Sequence, residues 1–408
     1  MTETGTGHAT MVVILGLIIT LTICIRAIAQ KLRIPSLVGF ILLGLLLKIL
    51  DNQFQFLSEA SNEILLFLAD VGIITFLFKV GLESDIGGLL KQFKKASLVW
   101  AGGVITAGAT GFLVTHYLLD IKLITSTIIA TALTASSVGV SVSVWKEKGQ
   151  LKSSTGELLL DSAELDDISG VIFMALLFAI IPLFRNNQNA NLASTLGKTA
   201  GIIFLKLLLF GTLCALFSLY FERQTTEFFR KIEPPAELML LVLGVGFIFS
   251  AIAGFLGFSV AIGAFFAGLA FSRDPKSVKI DANFESIYDL FSPFFFIGIG
   301  LKTDPGVLTQ AIVLGGILVL VAFITKALGH GLPVLLTGTR VQATLVGISL
   351  VPRAEITMII MEQGKNMGNW AVPPEAYAAM VTVTIFTCIL APLLVRKMLD
   401  KWPQGEEG

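Results

Sequence analysis

Thirteen stretches of about twenty mostly apolar residues, joined by short polar connections, leave this chain little to fold into except a bundle of helices in a bilayer. They fall near residues 9–29, 35–50, 61–81, 95–117, 122–144, 153–183, 195–222, 235–254, 257–272, 284–301, 307–336, 341–363 and 375–396. Hydrocarbon offers no partner to backbone N–H and C=O groups, so each span must close its own hydrogen bonds as a helix. Composition agrees, with 54% hydrophobic residues against 14% charged, where a soluble domain carries about a quarter charged. The predicted fold is an all-α membrane protein with 13 transmembrane helices, a single membrane domain over 1–408 and no soluble regulatory domain. Met1 to His8 contain no Lys or Arg, so no signal-peptide n-region is present and the first helix is expected to be retained.

Formal net charge is zero, which points away from nucleic acid as a partner. Cys24, Cys214 and Cys388 lie in apolar runs without metal-ligand spacing and read as helix-packing residues. With the N-terminus outside, inward-facing segments hold 19 of the 29 Lys and Arg residues, among them Arg26, Lys91, Lys148, Arg223, Arg273 and Arg396. Outward segments hold Lys48, Lys122, Arg185, Lys198, Lys302 and Lys365, and Lys79, Lys206, Lys326 and Arg353 fall within spans. By the positive-inside rule the chain is N-out and C-in. The absence of an Asn-x-Ser/Thr sequon leans toward a bacterial inner (plasma) membrane.

A short internal repeat relates "ASLVWAGG" at 96–103 to "AIVLGG" at 311–316, each followed by an interrupted span and then a further span. The two lie seven helices apart and so have opposite orientation. Inverted repeats with discontinuous helices meeting at the midplane are the usual plan of a secondary transporter.

Two adjacent acids, Asp166 and Asp167, sit in the middle of the sixth span. An ionisable group at that depth marks a substrate, ion or proton site unless it is a structural ion pair, and each acid opposes ionisation of its neighbour. The pairing suggests a site that trades a cation for protons. Glu157, Asp161 and Glu164 form one stripe on the same helix. Asp167 lies about 60° round from that stripe and Asp166 about 100° further. The stripe reads either as a solvated funnel or as acids paired with Lys79, Lys206 or Arg353. In the fifth span, Thr134, Ser136 and Ser137 place hydroxyls beside a glycine; in the twelfth, Pro352, Arg353 and Glu355 mark a matching break. Such breaks free carbonyls and half-helix ends to face the carboxylates. Lys326 needs an acid, and one of the two aspartates is the sensible partner. Lys79 reads as a snorkelling residue near the end of its helix, while Lys206 reads as a buried cation without an assigned role.

"LDDISG", following "TALTASSVGVSVSVWKEKGQLKSSTGELLL", resembles the signature of monovalent cation/proton antiporters, in the branch of NapA-type sodium/proton exchangers and Kef-type relatives. "LRIPSLVGFILLG" at 32–44, "LFKVGLESD" at 77–85, "GAFFAGLAFS" at 263–272, "FSPFFFIGIGL" at 291–301 and "VPRAEITMII" at 351–360 agree in order. The resemblance implies an NhaA/NapA-like fold, a homodimer, and a six-helix core that moves against a dimerising panel. It implies that Asp167 carries the ion and the protons, that Asp166 pairs with Lys326, and that Thr134 to Val138 form the unwound crossover. Asp161 and Glu164 depart from the small or apolar residues expected there.

The resulting expectation is a secondary active antiporter, not an enzyme, exchanging Na+ (or K+, or Li+) for H+ and serving pH homeostasis, with no cofactor and no P-loop. Asp167, Ser137, Thr134 and Ser136 are the expected cation ligands; Glu164, Asp161, Glu157, Arg353 and Glu355 are accessory candidates. Exchange is expected to be electrogenic. The rivals are a sodium-coupled organic solute symporter of similar fold and an ion channel.

Overall fold

The structure, a computed structural model, describes residues 3–83, 86–186, 192–221, 224, 227, 238–272 and 284–405. Among them there are helices and no strand. Each of the thirteen apolar stretches is occupied by a helix or by two helices separated by a short extended break. In chain order these are α1 (Glu3–Leu32), α2 (Ser36–Phe54), α3 (Glu59–Glu83), α4 (Ile86–Leu113), α5 (Leu123–Thr134), α6 (Val138–Glu147), α7 (Ser154–Asn186) and α8 (Leu192–Leu216). They continue as α9 (Leu238–Phe255), α10 (Val260–Ala270), α11 (Phe284–Leu301), α12 (Leu308–Leu335), α13 (Arg340–Ser349), α14 (Glu355–Asn366) and α15 (Pro374–Lys401). Among the described residues, seven segments are long and apolar enough to cross a membrane by length and composition alone. Ser84 and Asp85 of the fourth quoted motif, and Arg223, Arg230, Lys231, Arg273, Lys276 and Lys279 of the charge pattern, lie outside the described residues.

The chain divides into two compact units. The first comprises 1–62, 87–170 and 296–408, and holds both broken spans. Its order of helix, broken pair, helix occurs twice: α4, α5/α6, α7 and then α12, α13/α14, α15. Trp145, Leu159, Ala163, Val346, Leu350, Val395 and Leu399 form one buried cluster where α6, α7, α13 and α15 meet. Helix α13 opens with a reciprocal cap between Thr339 and Gln342, which satisfies two otherwise orphaned backbone donors. On the outer face of α12, Leu320, Ile324 and Leu328 are exposed, as lipid-facing residues would be.

Helix α4 crosses α12 at a contact made of small residues. A Cβ on Gly102 would collide with the Gly329 carbonyl oxygen, and one on Gly329 would lie 2.8 Å from the Gly102 oxygen and 3.0 Å from the Gly103 Cα. Small residues at such crossings let backbones approach closely enough for dispersion to hold helices together in lipid. This contact sets the height of Lys326 within the unit. Gly102→Ala is therefore expected to destabilise by about 1–3 kcal/mol, read as a lower unfolding temperature in detergent; an unchanged midpoint would count against the crossing.

The second unit comprises 63–86 and 171–295. Here α3 and α10 cross backbone to backbone, Gly81 against Phe265 and Gly268 against Phe78. Phe210, Phe217, Phe249, Phe266 and Phe271 pack tilted or edge-to-face beside them with ring centroids 5.3–6.4 Å apart. One expectation is corrected in this unit. Lys206 is exposed, not buried, and donates to the Leu256 carbonyl at 3.0 Å. Lys79 lies over the Tyr288 ring, 4.0 Å from its centroid, and 3.9 Å from Glu285 Oε1, so it is held by aromatic and acidic neighbours. In the first unit, Cys24 is exposed, unlike Cys388, and so does not pack within the chain as expected.

Candidate functional site

The two broken spans meet in the first unit. Helix α5 ends at Thr134, and Ala135 and Ser137 take extended backbone before α6 begins. Helix α13 ends at Ser349, and the chain runs through Leu350–Ala354 before α14 starts at Glu355. Pro352 explains the second break, because it lacks an N–H and disfavours helix in the residue before it. The first contains no proline and is held by its neighbour: Ser137 N donates to the Pro352 carbonyl at 2.7 Å. Thr357 Oγ1 on α14 donates to Ala132 O at 2.9 Å, and Trp145 Nε1 on α6 donates to Ser349 Oγ at 2.9 Å.

A cation takes the negative end of each first half-helix. Lys326 Nζ donates to Thr134 O at 2.5 Å, at the C-terminus of α5. Arg353 Nη2 donates to Leu350 O at 3.3 Å, at the C-terminus of α13. Both side chains are wholly buried. Placing cations at helix C-termini satisfies orphaned carbonyls and opposes the helix dipole. These carbonyls, expected from sequence to be free for a transported ion, are thus occupied by protein donors.

Helix α7 brings the aspartates to this crossing. Gly170 makes the approach possible, since a Cβ there would lie 3.1 Å from Ile356 Cγ2, in the first turn of α14, and 3.3 Å from Ala135 Cβ, in the first break. Asp166 is buried, and its Oδ2 receives Lys326 Nζ at 2.9 Å together with a hydrogen bond from Ser136 Oγ. Ser136 Oγ also lies 3.0 Å from Leu350 O, and Arg353 Nη1 is 3.4 Å from it. The backbone oxygen of Asp166 accepts from Ser169 Oγ at 3.1 Å, and that hydroxyl accepts from Trp100 Nε1 at 2.8 Å.

Asp167 stands differently. It is half-buried and takes part in no hydrogen bond or ion pair among the described residues. The acids that bear on it electrostatically are Glu355, Asp166 and Glu164, with Lys326 the nearby cation. The Ser137 hydroxyl is buried, and the Glu355 carboxyl lies beside it. Of two adjacent carboxylates, one is neutralised by a lysine and the other is left open among oxygens.

The expected ligand hydroxyls therefore separate. Ser137 lies with Glu355, Ser136 belongs to Asp166, and Thr134 Oγ1 donates to Thr131 O on its own helix at 2.7 Å. In the acidic stripe, Glu157 is exposed while Asp161 and Glu164 are half-buried, each engaged in interactions of its own. His330 was not singled out from sequence, yet it is wholly buried with Nε2 3.4 Å from Asp166 Oδ2. The signal was available, since His330 lies four residues after Lys326 and so shares its helix face.

A family model described as "Sodium/hydrogen exchanger, transmembrane" matches residues 17–401. The Na(+)/H(+) antiporter of Enterococcus hirae is 27% identical over 395 residues, covering 95% of this chain and 98% of its own. The high-affinity Na(+)/H(+) antiporter NhaS3 of Synechocystis is 26% identical over 85% of this chain and 74% of its own length. The Na(+)/H(+)-K(+) antiporter GerN of Bacillus cereus is 27% identical over 82% of this chain and 84% of its own. Among solved structures, the sodium proton antiporter MjNhaP1 of Methanocaldococcus jannaschii matches with a TM-score of 0.62 over 97% of both chains, at 17% identity, a likeness of fold.

Proposed function

Because the chain belongs to the sodium/hydrogen exchanger family, we propose that it exchanges Na+, K+ or Li+ for protons and that Asp167 is the ligand for which cation and proton compete. The observation that carries this reading is the inequality of the two aspartates: Asp166 has Lys326, and Asp167 has no hydrogen bond or ion pair among the described residues. A carboxylate at membrane depth must be neutralised. Without a protein cation, it takes either a proton or an ion from outside the chain. Occupancy by one excludes the other, which couples the fluxes without covalent chemistry. Ser137 and the Glu355 carboxyl supply further hard oxygens to a partly dehydrated cation, while Ser136 and Thr134 act on the Asp166 side. Glu157, Asp161 and Glu164 form the approach to Asp167 from the cytoplasm.

Relatives named for Na+/H+ and for Na+/H+-K+ exchange keep both ions in view. The chain works N-out and C-in, a reading supported by its Lys and Arg distribution; the homodimer follows the family resemblance, and the bacterial plasma membrane the absence of an Asn-x-Ser/Thr sequon. If the Asp166–Lys326 pair also exchanges a proton, more than one H+ enters per cation leaving. Each net charge moved is then worth about 2.3 kcal/mol per 100 mV.

Dissipation of a pH gradient in proteoliposomes, with Na+, K+ and Li+ added separately, is expected to depend on at least one of them. A potential imposed with potassium and valinomycin at zero pH gradient is expected to drive proton movement in Na+-exchanging vesicles. Indifference to the potential would mean one-for-one exchange. Proton movement with none of the three ions would overturn the antiport reading.

A further inference from the structure

His330 lies one turn beyond Lys326 on α12, wholly buried, and competition at Asp167 makes no use of it. Its Nδ1 is 3.2 Å from the Lys326 carbonyl oxygen. A carbonyl only accepts, so Nδ1 carries a hydrogen. In the neutral ring this leaves Nε2 bare. Nε2 faces Asp166 Oδ2 at 3.4 Å and has no hydrogen-bond partner. Two acceptor atoms brought face to face in a dry site repel unless a proton lies between them.

The seat of the ring is built into the fold. Helix α4 presents Gly103, where any Cβ would overlap His330 Cε1 and Nε2. The charged groups that bear on the imidazole are Asp166 from α7, Lys326 on its own helix and Arg353 from the break before α14. Of the other helices packed on α12, α13 meets it at Ala343 and Gly347, and α15 at Ala379 and Thr382.

We propose that His330 is a proton-holding partner of Asp166, receiving on Nε2 the proton that Lys326 gives up, so that Asp166 stays neutralised while the Asp166–Lys326 pair opens. One N–H bond breaks at Lys326 Nζ, the proton crosses Asp166 Oδ2, and one N–H bond forms at Nε2. The positive charge beside Asp166 is conserved in the step. This inference rests on the reading that the pair changes protonation during exchange.

The chain has three histidines, His8, His116 and His330, so a 15N-histidine-labelled protein in nanodiscs gives few imidazole signals, and His330→Gln identifies the one of interest. The expected spectrum shows Nδ1 protonated throughout and Nε2 gaining and losing a proton with pH. In Asp166→Asn that midpoint falls by at least about one unit, because the carboxylate no longer favours the charged ring. Nε2 holding its hydrogen with Nδ1 bare at every pH, or a midpoint indifferent to Asp166→Asn, overturns the proposal. In proteoliposomes, His330→Gln is expected to move the alkaline limb of the exchange profile down by at least about one unit. Asp166 must then hold the proton itself, and a carboxyl ordinarily keeps one only to lower pH than an imidazole. An alkaline limb identical to that of the unaltered protein overturns the role of His330 and leaves competition at Asp167 standing. Failure of the unaltered protein to exchange any cation sinks the antiport reading instead, and the imidazole spectrum alone then decides the proposal.

Discussion

Asp167→Asn is expected to abolish cation/proton exchange, lowering it at least a hundredfold, while the protein still folds. The amide matches the carboxylate in size but can neither be neutralised by a cation nor hold an exchangeable proton. The change is expected to be tolerated structurally, because Asp167 has no hydrogen bond or ion pair to lose among the described residues. Removing a half-buried charge from among Glu355, Asp166 and Glu164 also relieves like-charge repulsion. The unfolding temperature should hold or rise as exchange disappears. Flux in proteoliposomes and thermal unfolding in detergent, measured on one preparation, check both halves. Robust exchange by a folded Asp167→Asn protein would remove Asp167 from the mechanism.

The Asp166–Lys326 pair is expected to behave in the opposite way, with stability as the first casualty. Removing one partner of a buried pair typically costs about 3–5 kcal/mol, because the other charge is stranded. Lys326→Ala strands Asp166 and also frees the Thr134 carbonyl at the end of α5, which Lys326 Nζ now satisfies at 2.5 Å. Asp166→Asn strands Lys326 and weakens the hold of Ser136 on the same oxygen. The double change should recover part of the loss, with a coupling of at least about 1 kcal/mol in a double-mutant cycle. Simple additivity would show that the 2.9 Å contact carries no interaction energy.

What the sequence determined by itself is what local composition and burial cost can encode. Thirteen apolar stretches called for helices, and a helix or split helix occupies each one. Pro352 marked the break before α14, because a missing N–H acts wherever the chain goes. Asp166, Asp167 and Lys326 declared themselves as charges too costly to leave unpaired at that depth. Which aspartate took the lysine was not encoded locally. Asp166 and Lys326 are 160 residues apart, and they meet because α4 and α12 touch at Gly102 and Gly329 and because Gly170 lets α7 approach both breaks. The break after Thr134 has no proline, and it is held by the Pro352 carbonyl of the other broken span. The same crossing assigned Ser136 to Asp166, placed His330 against that carboxylate and filled the carbonyls that had looked available to an ion. Lys206 read as buried because its neighbours in sequence are apolar, but it proved exposed because burial is decided by which face a helix turns to its neighbours. Charge and hydropathy are properties of single residues and short runs, and the sequence states them directly. Partnership depends on helix crossings, which are set by close contacts among residues far apart in the chain, and only the tertiary structure decided those.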